Sequence, residues 1–333
     1  MRTIALEEHF WTPDLALPPG TGILARPGGA GLDARLRDLG EGRIADMDAA
    51  GIDVQVVSHV QPGAQGMLAN GATPNGSTPD SSAPALAAKL NDDLAAAVAR
   101  HPERLAGFAA LPTGSPAEAA AELSRAVGDL GFAGGLVNST LGTDGAFLDD
   151  PRFDVLLARF AELDVPLYLH PAPPPDSLRQ TLYGGLAPAV SAALATNSWG
   201  WHAEAGLHAL RMVMAGVFDR HPGLKLIIGH CGEMIPFMLD RIDTMMPPPS
   251  VTGLSGPPSE YFLRHVWVTT SGMFSVPPVM CSVQVFGIDR VLFSVDYPFG
   301  PNAAGRALLD QLPVSPADKA KIAGTNAEHL LRI

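Results

Sequence analysis

The chain is poor in cysteine: Cys231 and Cys281 are the only two in 333 residues, and they form no CxxC pair. That excludes a disulfide framework and suits a reducing cytoplasm. Charge is scarce as well. Asp, Glu, Lys and Arg make up 17% of the chain, and Lys and Arg nowhere cluster. With a net charge of −12, a nucleic-acid partner is excluded, because phosphate backbones draw basic stripes. Long apolar runs are also missing. The longest uncharged stretch, 180–201, is broken by Gly, Pro, Ser, Thr and Asn, so no membrane span is expected. A strand-like segment begins at residue 3 and leaves no room for a secretion signal, so the expected setting is cytoplasmic. No GxSxG, GxGxxG, Walker A loop or HExxH occurs, which removes the serine hydrolase, dinucleotide and zincin readings.

What the chain does have is apolar bulk. Hydrophobic residues are 47% of it, enough for a large core, and the thin polar surface fits a protein that also buries area between subunits. Short runs rich in Val, Ile, Leu and Phe recur at 3–9, 53–59, 105–111, 134–138, 166–170, 224–230, 266–270 and 291–296. Helical spacing lies between them at 85–100, 116–130, 152–163, 201–220, 234–246 and 316–331. Strand alternating with helix predicts parallel strands joined by crossover helices. Eight such strands at this length predict one (β/α)8 TIM-like barrel domain over 1–333. Helix punctuation agrees: Ser115-Pro116-Ala117-Glu118 reads as an N-cap, Gly131 as a C-terminal stop, and Asp150-Pro151 as a helix opening. Loop insertions are expected near 61–84 and 247–259, on the ligand-facing or subunit-facing side.

Four of the strand-like runs end on a residue that can bind a metal ion. Glu7 and His9 are two apart in a strand, so they share a face, while Glu8 would point outward to the helices. His170, His230 and Asp296 close three further strands. Taken singly, each has an ordinary reading: a hydrogen-bonded core histidine, a solvated strand end, or an N-cap aspartate. Together they gather at the strand edge where barrel enzymes keep their chemistry. Two of these histidines and two carboxylates there predict a site for a divalent cation. His230 stands in Gly-His-Cys-Gly-Glu, with Glu233 three residues on and Gly229 and Gly232 available for close backbone approach to a ligand. His59 could border the pocket. His101 and His221 read as helix C-terminal partners, and His202, His208, His265 and His329 show no ligand spacing. Cys231 reads as a small buried hydrophobe rather than a nucleophile.

The stretches Ala-Leu-Glu-Glu-His-Phe at 5–10, Leu-Val-Asn at 136–138, Tyr-Leu-His-Pro at 168–171, the block from Trp199 to Arg241-Ile242-Asp243, and Phe-Ser-Val-Asp-Tyr-Pro-Phe at 293–299 carry a resemblance. The chain resembles the amidohydrolase superfamily, in its branch of non-oxidative aromatic acid decarboxylases acting on resorcylate and dihydroxybenzoate. The resemblance implies a metal-dependent (β/α)8 barrel with one divalent ion, zinc or manganese, bound by Glu7, His9, His170 and Asp296. It implies that His230 and Glu233 form a polar pair beside the metal, and that Asn138 and Phe299 contact the substrate ring. Arg241 is similar to an arginine that reaches a neighbouring subunit's substrate, which implies a homodimer or homotetramer. After His170-Pro171 the chain runs Ala-Pro-Pro-Pro, where relatives often place Arg or Asn.

The expected reaction is loss of CO2 from an o-hydroxybenzoate-type acid, with Asp296 delivering a proton to the ring carbon and His230, oriented by Glu233, assisting with the phenol proton. An alternative from the same residues is a metal-dependent hydrolase or hydratase of an amide, lactone or ring-cleavage product, in which the metal activates water. Released CO2 without incorporation of water separates the two. A non-catalytic barrel that binds an aromatic acid would be expected to have a broken ligand set, and all four positions are filled.

Overall fold

Eight strands run parallel, in sequence order, in the computed structural model, which describes residues 1–13, 15, 24, 29–61, 63–66, 82–139, 141 and 145–333. They are β1 (Ile4–Phe10), β2 (Val54–His59), β3 (Leu105–Ala110), β4 (Gly134–Asn138), β5 (Pro166–His170), β6 (Lys225–Ile228), β7 (Val266–Thr269) and β8 (Val291–Leu292). With helices alternating between them, this is the expected (β/α)8 barrel. Each strand is buried almost throughout, as a parallel sheet covered by helices requires. Ile4, Leu6, Val54, Val56, Phe108, Leu136, Tyr168, Ile227 and Leu292 pack together in one cluster. Ala5, Val57, Leu167, Leu169 and Val268 join the larger core that includes the helices.

The barrel closes by an irregular seam. β1 carries a register shift between Ala5 and Glu8, where three residues on β1 span two on β2. A bulge of this kind re-aims the side chains that follow it. Plain alternation from Ile4 and Leu6 would turn Glu7 and His9 to the helix side. The bulge reverses the phase and brings both to the barrel mouth. Across the seam, the His9 N–H donates to the Tyr297 carbonyl at 2.6 Å, and the Glu7 N–H donates to Ser294 Oγ at 2.8 Å.

Several boundaries differ from the sequence reading. The sixth run stops at Ile228, because residues 230, 231, 233 and 234 all take left-handed backbone angles. The eighth ends as a ladder at Leu292, since the Phe293 N–H turns away to the Ile322 carbonyl at 2.9 Å. Ser115 sits at the N-cap of the helix Pro116–Gly128 without a side-chain bond, so the expected capping box does not form. The stretch 201–220 is two helices, Gly200–Met214 and Val217–Arg220, parted at the left-handed Gly216. The loop expected near 247–259 contains the short helix Pro249–Thr252 and leads into Pro258–His265. Residues 62 and 67–81 of the insertion expected near 61–84 lie outside the described residues. No helix among the described residues is long and apolar enough to cross a membrane.

Candidate metal centre

Glu7, His9, His170 and Asp296 come from β1, β5 and the turn after β8, and the barrel mouth brings them together. His170 Nε2 lies 3.4 Å from Glu7 Oε1, and His9 Nε2 lies 3.3 Å from Asp296 Oδ1. The two imidazole rings meet edge to face with centroids 5.0 Å apart. Glu7, His9 and His170 each offer a ligand atom within 4.8 Å of the others.

The hydrogen bonds around this group decide which atoms face inward. His170 Nδ1 pairs with Asn138 Oδ1 at 3.0 Å, and His9 Nδ1 pairs with Ser58 Oγ at 3.3 Å, so both rings turn Nε2 to the centre. Glu7 Oε2 is held by the hydroxyls of Tyr168 and Ser271. Gly229 makes room for that carboxylate, since a Cβ there would lie 2.6 Å from Glu7 Oε2. At Gly229 the close approach seen is to a protein side chain. What is left is informative: Glu7 Oε1 and His9 Nε2 are buried and have no hydrogen-bonding partner. A buried polar atom without a partner costs about 1–3 kcal/mol. Two of them, facing each other's neighbours across a shared centre, fit a cation that would use them both.

Electrostatics follow the burial. Burial raises the pKa of Glu7, and the nearby Asp296 adds to the rise, while the charges of His230 and His9 oppose it. Burial and the charge of His9 push His170 well below the usual imidazole value. At Asp296, burial works the other way from the outcome: the nearby imidazoles of His230 and His9 outweigh it and bring the carboxyl down to about 2. Asp296 takes a left-handed backbone angle, φ 70°, as does His230 at φ 46°. Strain of this kind persists where the surrounding structure enforces it, and it gathers at working sites.

His230 and Glu233 stand beside the four. His230 Nδ1 lies 2.8 Å from Glu233 Oε1, and its Nε2 lies 3.9 Å from Asp296 Oδ2. Burial disfavours the charged ring, but the carboxylates of Glu7 and Glu233 outweigh it and raise the pKa of His230 well above the usual value. Burial would likewise raise Glu233, yet the charge of His230 and bonds from His202 and His230 pull it down to about 2. Cys231 remains a thiol, pushed up to about 12 by burial.

The residues expected to contact substrate divide. Phe299 lies at the rim, with its ring 5.6 Å from that of His9. Asn138 orients His170: its carboxamide oxygen faces that ring, and its backbone is clamped by Gln65, which accepts from its N–H at 2.9 Å and donates to its carbonyl at 2.6 Å. Arg241 is exposed on the helix Ile235–Met245 and has no ion-pair partner among the described residues. His59 is tied to the backbone, with Nδ1 2.7 Å from the Val60 carbonyl.

Sequence reasoning missed several members. Tyr168 precedes His170 by two residues and so shares its face, a signal that was available. Ser58, Gln65 and Ser271 gave none. His202, set aside for lack of ligand spacing, reaches Glu233 Oε2 at 2.8 Å. Glu8 points away from the mouth as expected, but its target is the seam and not the helices. It accepts from Ser294 Oγ at 3.0 Å, from the Val295 N–H at 3.0 Å and from the Tyr297 N–H at 2.7 Å. Burial raises its pKa to about 7 even with those bonds.

Comparison with known proteins adds three findings. The amidohydrolase family pattern matches residues 7–333. A decarboxylase of Emericella nidulans is 38% identical over 99% of this chain and 97% of its own, and a gamma-resorcylate decarboxylase of Rhodococcus jostii is 36% identical over 99% and 98%. The crystal structure of a dihydroxybenzoic acid decarboxylase from Polaromonas, with bound manganese and the inhibitor 2-nitroresorcinol, superposes with a TM-score of 0.89 at 33% identity, covering 99% of this chain and 97% of that one.

Proposed function

The chain belongs to the amidohydrolase family, and we propose that it is a metal-dependent, non-oxidative decarboxylase of an aromatic acid with a hydroxyl beside its carboxylate. The observation that carries the reading is the open donor set, in which Glu7 Oε1 and His9 Nε2 are buried without partners next to His170 and Asp296. These four residues would hold the cation. Mixed imidazole and carboxylate donors suit zinc and manganese alike, and manganese is our first choice because the Polaromonas structure contains it. When bound, such a cation supplies a Lewis acid that anchors the substrate's carboxylate and ortho oxygen.

The protein residues then handle one proton. Direct loss of CO2 would leave an electron pair on a ring carbon, so that carbon must be protonated first. Asp296 begins as a carboxylate, consistent with its low pKa. The substrate's ortho hydroxyl gives up its proton, relayed by His230 Nε2, which lies 3.9 Å from Asp296 Oδ2. Asp296 passes that proton to the carboxyl-bearing carbon and returns to its anionic form. The bond to the carboxylate then breaks, its electron pair restores the aromatic ring and the phenolate, and solvent reprotonates the oxygen. Glu233 keeps the proton of His230 Nδ1 engaged, which directs Nε2 inward. Phe299 offers an aromatic edge to the ring from the rim.

Incubating the enzyme with a set of hydroxybenzoates tests this reading, by following loss of ultraviolet absorbance and released CO2. In deuterated water the product carries deuterium at the former carboxyl position, and in 18O-labelled water it gains no label. Product that gains 18O would mean hydrolysis or hydration and would overturn the reading.

Residues 1–333 act in this reading as one barrel unit, in a cytoplasmic setting that fits the two unpaired cysteines. The working form is a homodimer or homotetramer. Phe237, Met238 and Met245 are exposed on the helix that carries Arg241, an apolar face that a second copy would cover, and the resemblance supplies the further expectation that Arg241 reaches its neighbour's substrate. Mixing Arg241→Ala protein with Asp296→Asn protein tests this: each is inactive alone, and the mixture regains activity if subunits share sites. A mixture as inactive as its components would contradict it.

A further inference from the structure

The helix Gly200–Met214 brings to the site a histidine that its sequence spacing did not announce. His202 Nδ1 lies 2.8 Å from Glu233 Oε2, while His230 Nδ1 lies 2.8 Å from Glu233 Oε1. Each oxygen of one buried carboxylate is therefore taken by a different imidazole. The two rings meet edge to face, with centroids 4.4 Å apart. On the far side of His202, the Trp201 indole N–H donates to Nε2 at 3.0 Å, and the Asn197 carbonyl lies 3.2 Å from the same nitrogen. An indole nitrogen can only donate. With that bond made, Nε2 is the acceptor and the ring proton sits on Nδ1, where it faces Glu233.

The backbone allows this approach through one glycine. Gly206 lies one turn after His202 in the same helix, and a Cβ there would fall 2.3 Å from the Glu233 carbonyl oxygen. Glycine inside a helix costs about 1 kcal/mol relative to alanine. Here it removes the side chain that would hold the helix off the turn carrying His230 and Glu233.

We propose that His202 is a positioning residue for the reaction: it pins Glu233, and Glu233 in turn fixes the orientation of His230. The inference rests on the decarboxylase reading. His202 is the one partner of Glu233 Oε2 among the described residues. Without it the carboxylate keeps a single anchor and turns about its own axis, and His230 loses a fixed direction for Nε2. A rival use of the same atoms is a second cation site, since His202, His230 and Glu233 each offer a ligand atom within 4.8 Å of the others. Their facing atoms are already matched as donor and acceptor, unlike those of Glu7 and His9, and this favours the hydrogen-bonded arrangement.

Two variants test the proposal. Asparagine can place an amide N–H where Nδ1 of histidine stood, and leucine cannot. In the manganese-loaded enzyme, His202→Leu should lower kcat roughly 10- to 100-fold, with KM nearly unchanged. His202→Asn should recover most of that loss, and both should retain the wild-type metal content. Nitrogen-15 imidazole spectra of metal-free protein should show the His202 ring as its Nδ1–H tautomer. The His230 signals should move in His202→Leu and stay in place in His202→Asn. Wild-type kcat in His202→Leu would overturn the proposal, as would equal loss in both variants, or a second metal equivalent that disappears with His202. If the wild-type enzyme decarboxylates no aromatic acid, the function reading fails by itself; the spectra still decide, because unmoved His230 signals in His202→Leu would overturn the positioning role.

Discussion

Glu7 and Glu8 are neighbours in the chain and equally sealed from water, yet the two sides of β1 treat them in opposite ways. On the seam side, Glu8 accepts three hydrogen bonds from residues 294–297 and ties the ends of the barrel together where no regular ladder forms. On the mouth side, Glu7 has one oxygen held by the Tyr168 and Ser271 hydroxyls and the other left without a partner. A fold that satisfies one carboxylate so fully has no difficulty supplying donors. An oxygen left open one residue away, beside an equally open His9 Nε2, therefore marks a place meant for something other than protein. Polar groups on the seam side hold the barrel closed; those on the mouth side are left open at some expense to stability, as the proposed cation site requires.

The contrast can be broken at either side. The largest effect is expected at the mouth: Asp296→Asn should lower kcat by at least about 1000-fold with the melting temperature nearly unchanged. Retained turnover, followed as CO2 release, would mean another group supplies the proton. At the seam the reverse is expected. Glu8→Ala leaves two N–H groups and a hydroxyl of the 294–297 segment buried without acceptors, so it should destabilise the fold by roughly 4 kcal/mol. Urea denaturation measures this, and a midpoint equal to wild type would show that the seam does not depend on Glu8.

A smaller effect is expected where the mouth is supported. Asn138→Ala frees the His170 ring from its Nδ1 partner, and metal affinity in a chelator competition should weaken roughly 10- to 100-fold. Unchanged affinity would return Asn138 to a ring-contact role alone. The smallest effect concerns His208, which resembles Glu8 in being fully committed: its Nε2 accepts from the Leu148 N–H at 2.7 Å and its Nδ1 pairs with Ser139 at 3.0 Å. Burial, helped by the charge of Arg211, lowers its pKa from 6.5 to about 3. The unfolded chain takes up a proton that the fold refuses, so this contribution is intact above about pH 6.5 and falls away as pH drops toward about 3. His208→Gln should lower stability at neutral pH and flatten that acid slope. A slope identical to wild type in urea titrations at pH 7 and 5.5 would assign the acid sensitivity elsewhere.

How much of this was legible in the sequence depends on the range of the interaction. Strand ends were legible, because runs such as Pro-Leu-Tyr-Leu-His at 166–170 declare a buried parallel strand and its last residue together. The shared face of Glu7 and His9 followed from the two-residue period. The bulge that turns this face inward was not legible, since neither Leu6 nor Glu7 is a residue that favours one. The helix Val276–Phe286 was hidden by its own composition: Val-Pro-Pro-Val-Met-Cys-Ser-Val-Gln-Val-Phe favours strand, and burial of Val279 and Phe286 against the core overrides that preference. His202 was invisible because its meaning lies in Glu233, thirty-one positions away on another element. Glu8 was read correctly as outward-facing, but which of two outer neighbours it meets depends on barrel closure and not on local pattern.

Everything proposed for the mouth depends on Glu7, His9, His170 and Asp296 sharing one divalent cation. Elemental analysis of protein purified without chelators tests it most directly, on the wild type and on a Glu7→Gln/His9→Gln double variant. About one equivalent of manganese or zinc per chain is expected in the wild type and less than about a tenth in the variant, since binding needs both donors. Wild-type protein that carries less than a tenth of an equivalent and still releases CO2, or a double variant that keeps its metal, would contradict it.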